Sequence, residues 1–235
     1  MTENMQKEPK NVMYLLGAMI AFLFLGLEFG VLFISRIIDG RSLSQIGNWP
    51  IHWYGAISHW IITVTVWLIG VYLITIWAKK NEVLNQLVDF RLSKKTGYLI
   101  IAAIGIAIIS AFVQRVINNH QVPQVYQEYK GFVQMYENRA FVVTLFQVLY
   151  YCVEMLLVFI MIVLFQRFGE RVFKNTSIPY GSIGLMLTWG MIHFVSHPAG
   201  ALYVTIWAVV PGLFYVFGGR RFLPVYLLLV IGFII

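Results

Sequence analysis

Seven apolar runs, four of them longer than any soluble core requires, restrict what this chain can fold into. They fall at about 12–35, 54–78, 97–117, 140–165, 181–197, 201–218 and 222–235. A helix needs roughly 20 apolar residues to cross the hydrocarbon layer of a bilayer. The first four runs meet that length, and the last three, at 17, 18 and 14 residues, fall short of it. Only His197-Pro198-Ala199-Gly200 and Gly219-Arg220-Arg221 separate the short runs. Backbone exposed to lipid must form its hydrogen bonds within its own segment, so each run is expected to be helical. The expected fold is an all-α polytopic transmembrane bundle of about seven spans, a single integral membrane domain over residues 1–235.

Charge agrees with this. Charged residues make up 11% of the chain and hydrophobic ones 60%, whereas soluble domains carry about 25% charge. The net charge of +7 does not point to nucleic acid, because the basic residues are scattered over loops. They follow a membrane rule instead: cytoplasmic loops are enriched in Lys and Arg. With the N-terminus cytoplasmic, Lys7, Lys10, Lys79, Lys80, Arg91, Lys94, Lys95, Arg167, Arg171, Lys174, Arg220 and Arg221 lie inside. Arg36, Arg41, Arg115, Lys130 and Arg139 then lie outside, giving 12 against 5. A multi-pass protein of the cell membrane, N-terminus in and C-terminus out, is expected. The polar opening MTENMQKEPKN precedes a run too long for a signal peptide, so that run is read as the first span. A single cysteine, Cys152, excludes an internal disulfide and a Cys-rich metal site.

Two loops carry helical spacing of apolar residues. Residues 82–92 are expected to lie along the inner membrane surface, and residues 124–138 to form an outer amphipathic segment. Both read as packing features. Trp49, Trp53, Trp60 and Trp77, near the ends of the second run, read as interfacial anchors.

An ionisable group at mid-bilayer costs a few kcal/mol, so such residues are the first place to look for function. Inside the runs stand Glu28, His59, Arg115, Glu154, His193 and His197. Glu154 is the foremost candidate. It sits in the middle of run 140–165, with Arg139 and Arg167 its nearest cations along the chain. It must find a partner on another helix or hold a proton. His193 and His197, four residues apart, project from one helix face, with Trp189 one turn earlier. The uncharged tip after Ser196 is expected to stop below the outer surface, which brings the histidines toward the depth of Glu154. A zinc site with Glu154 as third ligand is the weaker alternative, since Ile192 and Phe194 flank His193 where helical zinc motifs place a Glu. No cofactor or metal is expected. Glu28, His59 and Arg115 fall in the outer half, as a second polar cluster or as a Glu28–Arg115 ion pair.

The second half of the chain, about 85–235, resembles the CPBP intramembrane peptidases, the family of CAAX prenyl proteases and bacteriocin-processing or self-immunity proteins. Val153-Glu154-Met155 with Gln166-Arg167-Phe168-Gly169 resembles the family's first signature, E-E-x-x-x-R. Trp189-Gly190-Met191-Ile192-His193 resembles the second, an aromatic four residues before a His, and lies 39 residues after Glu154. Gly212-Leu213-Phe214-Tyr215-Val216-Phe217-Gly218 resembles the run before the third. The second Glu and the Arg of the first signature are absent, and 222–235 contains no His, Asn or Asp. The resemblance implies a metal-independent peptidase in which Glu154 activates water and His193 stabilises the oxyanion. His197 is the candidate replacement for the missing third-motif His. The missing groups equally suit a non-catalytic relative acting as a scaffold or immunity protein. A small transporter or permease subunit, with Glu154, His193 and His197 relaying protons or ions, is the alternative. Expected partners are the lipid bilayer and a membrane-associated peptide or protein.

Overall fold

A computed structural model describes residues 10–42, 50–81, 83–118, 123–196 and 207–235. Most of these residues are helical, and no strand lies among them. In chain order the helices are α1 (Asn11–Gly26), α2 (Glu28–Ile38), α3 (Trp53–Lys80), α4 (Leu84–Leu87), α5 (Lys94–Asn118), α6 (Gln124–Tyr136) and α7 (Ala140–Phe173). After a connection come α8 (Tyr180–Leu185), a π-helical turn at Met186–Gly190, and α9 (Met191–Ser196). Then follow α10 (Val209–Phe217) and α11 (Phe222–Ile234).

Among the described residues, four helical stretches are long and apolar enough to cross a membrane: 11–38, 53–80, 94–113 and 124–173. The first combines α1 and α2 across Leu27. The last combines α6 and α7 through a short 3-10 turn at Glu137–Arg139. α11 is apolar but shorter. The described part of run 181–197 belongs to α8, the π turn and α9, and residues 201–206 of the sixth run lie outside the described residues.

The bundle is organised around α7. Of its most apolar window 67% is buried, against 28%, 33% and 22% for the other three long stretches. α1, α3, α6, α8 and α11 all pack against it. Leu157, Met161 and Ile162 of α7 are fully buried, and they meet Tyr14, Trp67, Tyr215 and Leu229 in one continuous core. The outward faces of α1, α2 and α5 stay apolar and exposed, with Leu23, Ile37, Ile101 and Phe112 among them. A helix apolar on every side is what a hydrocarbon surrounding demands. Close approach of α1 to α3 depends on Gly70, where a Cβ would stand 2.5 Å from the Phe24 ring.

Both ends of the bundle are tied by polar contacts. At one end Asp39 accepts the backbone N–H groups of Ile51 (2.7 Å) and His52 (2.9 Å) and pairs with Arg41 at 2.9 Å. Tyr136 donates there to the Pro50 carbonyl. At the other end the buried Gln166 bonds three ways. Its amide nitrogen donates to Glu170 (2.8 Å) and to the Ile178 carbonyl (2.8 Å), and its oxygen accepts Gly181 N–H at 2.9 Å. Arg220, in the left-handed region at φ 60°, pairs with Glu170 at 2.6 Å.

The inner-surface helix expected over 82–92 is restricted to Leu84–Leu87. Beyond it the Asp89 backbone exchanges hydrogen bonds with Arg220 and Phe222, each at 3.0 Å, and this extended pairing ends the helix. Residues 124–138 do form a helix, α6, with Phe132 and Tyr136 buried in the core. Among the tryptophans, Trp53 is exposed at the end of α3, whereas Trp60 is buried and meets Phe132. Trp49 lies outside the described residues.

Candidate functional site

Residues 147–154 of α7 carry a polar band through an otherwise apolar core. Gln147, Tyr150, Tyr151 and Glu154 are all buried there. Glu154 lies one turn after Tyr150, and Tyr151 one turn after Gln147, so the helical period sorts them onto two faces.

One face meets α8–α9. The indole N–H of Trp189 donates to Glu154 Oε1 at 3.0 Å. Trp189 is itself buried and lies on the π turn, a local widening of the helix that often marks functional positions. Its backbone carbonyl accepts a hydrogen bond from His193 Nδ1 at 2.9 Å, and the two rings lie 4.3 Å apart. A carbonyl can only accept, so Nδ1 carries the proton and Nε2 of a neutral His193 is an acceptor. Glu154 and His193 therefore meet through Trp189. His197, the third candidate residue, lies outside the described residues, as does the tip after Ser196.

Aromatic side chains back this arrangement. Phe233 of α11 lies 6.0 Å from the Trp189 ring and 5.0 Å from the Tyr151 ring. Tyr226 of α11 donates to the Cys152 carbonyl at 2.9 Å. α11 is the segment where the resemblance calls for a third polar motif, and it supplies aromatic packing to this region.

Tyr150, on the Glu154 face, reaches α2 and α3, and Tyr151, on the second face, reaches α6. Tyr150 Oη donates to Glu28 Oε1 at 2.7 Å, and His59 Nε2 approaches the same oxygen at 3.3 Å. The second polar cluster thus forms around Glu28, His59 and Tyr150. Arg115 is exposed on α5, away from the Glu28 contacts, and the expected Glu28–Arg115 pair is not made. Tyr151 Oη donates to Glu128 Oε1 at 2.7 Å and accepts from Gln147 at 2.9 Å, while Gln124 donates to Glu128 at 3.1 Å. Among the described residues none of Glu28, Glu128 and Glu154 pairs with Lys or Arg, and no three His, Cys, Asp or Glu gather to hold a metal ion.

Glu154 and His193, expected site residues, meet through Trp189, and of the expected Glu28, His59 and Arg115 cluster the first two come together without Arg115. Sequence reading treated Trp189 as an aromatic neighbour of the histidines and missed it as the donor to Glu154. Glu128, Tyr150 and Tyr151 were also missed. The available signal was the run Gln147-x-x-Tyr150-Tyr151-x-x-Glu154, which places a polar side chain on each turn of a buried helix.

Among the described residues, the fold and site define an all-helical architecture with four helical stretches long and apolar enough to cross a membrane and a buried acid held by a neighbouring helix. No family model matches the chain, and no curated protein or solved structure does.

Proposed function

We propose that this is a multi-pass protein of the cell membrane with a CPBP-like arrangement, whose Glu154–Trp189–His193 site recognises a membrane-associated peptide or protein without cleaving it. On this reading the shorter apolar helices also lie in the hydrocarbon, giving about seven spans, and the Lys/Arg bias sets the N-terminus in the cytoplasm.

The observation that carries the reading is the Trp189 indole N–H on Glu154 Oε1. The two segments that resemble the family's first signatures come together at that bond, which supports a shared arrangement. The same bond argues against turnover. A general base needs its lone pair aimed at water, and here one carboxylate oxygen is engaged by an indole backed by Phe233.

The test is photo-crosslinking in cells, with p-benzoylphenylalanine placed at Leu187, an exposed position on the π turn beside Trp189. The expected result is one small membrane-associated species, recovered intact and lost when Glu154→Leu is added. Recovery of that species as cleaved fragments would favour the peptidase instead.

A further inference from the structure

On α3, His59, Thr63 and Trp67 recur every four residues and so line one face of the helix. All three are buried, with relative exposures of 8%, 0% and 1%. Each also has a polar atom that bonds no described residue: His59 Nδ1, Thr63 Oγ1 and Trp67 Nε1. Thr63 departs from its own kind here. Thr65, Thr75, Thr144 and Thr188 all turn their hydroxyl back onto the carbonyl four residues earlier.

The chemistry of the three atoms is complementary. His59 Nε2 faces a carboxylate oxygen, so it carries the ring proton and Nδ1 is left as an acceptor. Thr63 Oγ1 both donates and accepts, and Trp67 Nε1 only donates. Each unmet requirement is one that water satisfies. Burying a polar group without a partner is costly, and three in one file inside hydrocarbon are hard to sustain dry. Buried water typically sits against such groups.

The file has two distinct ends. Glu28, at the outer end, is partly exposed at 30% of its side chain and holds both His59 and Tyr150. At the inner end the Trp67 ring lies on the Tyr150 ring at 4.7 Å. Further along this side of α3 come Gly70, packed on Phe24, and the buried Ile74, which offer no polar atom. Trp67 stands midway along the 28-residue helix, about 12 Å beyond His59 at 1.5 Å per residue.

We propose that this file is an aqueous half-channel, entered beside Glu28 and His59 and closed at mid-membrane by Trp67 on Tyr150. Its ligand is water and the proton that water carries, and its inner wall includes Tyr150, one helical turn from Glu154. The proposal is independent of what the Glu154–Trp189–His193 site recognises.

The first experiment uses the full chain in lipid nanodiscs, with Cys152→Ser removing the single native thiol. Thr63→Cys is compared with Ile61→Cys, a position 45% exposed on the outer surface of α3. A charged methanethiosulfonate reagent should modify Thr63→Cys roughly tenfold faster or more, because it reacts with a thiolate that only water sustains. Equal, slow modification of both overturns the proposal. The second needs no substitution. Hydroxyl-radical footprinting should oxidise Trp67, 1% exposed, well above Trp207, 5% exposed and packed among Ala103, Ala107 and Leu228. Trp67 protected as fully as Trp207 also overturns it.

Discussion

Trp189 and Glu154, 35 residues apart in sequence, are joined by an indole N–H donated to a buried carboxylate at 3.0 Å. This bond couples the central helix α7 to the π turn between α8 and α9. Trp189→Phe keeps a ring in the core, removes the donor and gives up part of the indole's volume. The expected loss is about 1–3 kcal/mol, the range for leaving a buried polar group unmet. Glu154→Gln retains an accepting oxygen and should stay within about 1 kcal/mol of wild type. Unfolding in mixed micelles measures both. Equal losses in the two variants would show that charge, not this bond, governs the site.

Gln166 joins α7 to α8 through bonds to Glu170, the Ile178 carbonyl and Gly181 N–H. Gln166→Leu fills a similar volume yet strands the Gly181 N–H and removes a donor from Glu170, while the Ile178 carbonyl keeps the Tyr180 N–H. The expected cost is about 2–4 kcal/mol, read as a lower midpoint in the same unfolding experiment. A neutral result would mean that the α7–α8 contact is held by its apolar residues alone.

Helix α1 approaches α3 where Gly70 faces Phe24. Gly70→Val forces the Phe24 ring aside and should cost about 1–3 kcal/mol through overpacking. Gly105→Val, on α5 where nothing stands near the Cβ position, should be well tolerated. Thermal melts of the two variants side by side test this.

Much of this architecture is legible in the sequence because membrane helices announce themselves by length. The stretches 11–38, 53–80, 94–113 and 124–173 overlap the four apolar runs that reach crossing length, the last also taking in the segment 124–138 expected outside it. Glu154 stands out because a lone acid within an apolar run requires a partner. What the sequence does not display is the partner's identity. Trp189 reads as one more apolar residue, and nothing local reveals that its N–H reaches another helix. Likewise α6 reads as a surface segment, since its 3.6-residue period is visible but not the fact that Glu128 turns inward to Tyr151. The helix expected over 82–92 fails for the same kind of reason: Asp89 pairs its backbone with Arg220 and Phe222, more than 100 residues away in sequence.

Outside the spans, Asp89 provides a pH test. Hydrogen bonds from the Arg91 side chain and backbone, with the Arg91 and Arg221 charges, lower its carboxyl from 3.8 to about 2. A carboxyl lowered by folding binds its proton more readily in the unfolded chain, so its contribution is complete above about pH 4 and fades as pH falls toward 2. The stability difference between wild type and Asp89→Asn should therefore be constant from neutral pH down to about 4 and shrink below it. A difference that grows on acidification would contradict the ion-pair assignment.

The most direct test of the central claim is the crosslink at Leu187, made in wild type, Glu154→Gln and Glu154→Leu. Recognition without cleavage predicts one intact membrane-associated species in wild type, retained in Glu154→Gln because its amide oxygen still accepts from Trp189, and lost in Glu154→Leu. Cleaved product in wild type that disappears in Glu154→Gln would contradict the account and make Glu154 a catalytic base.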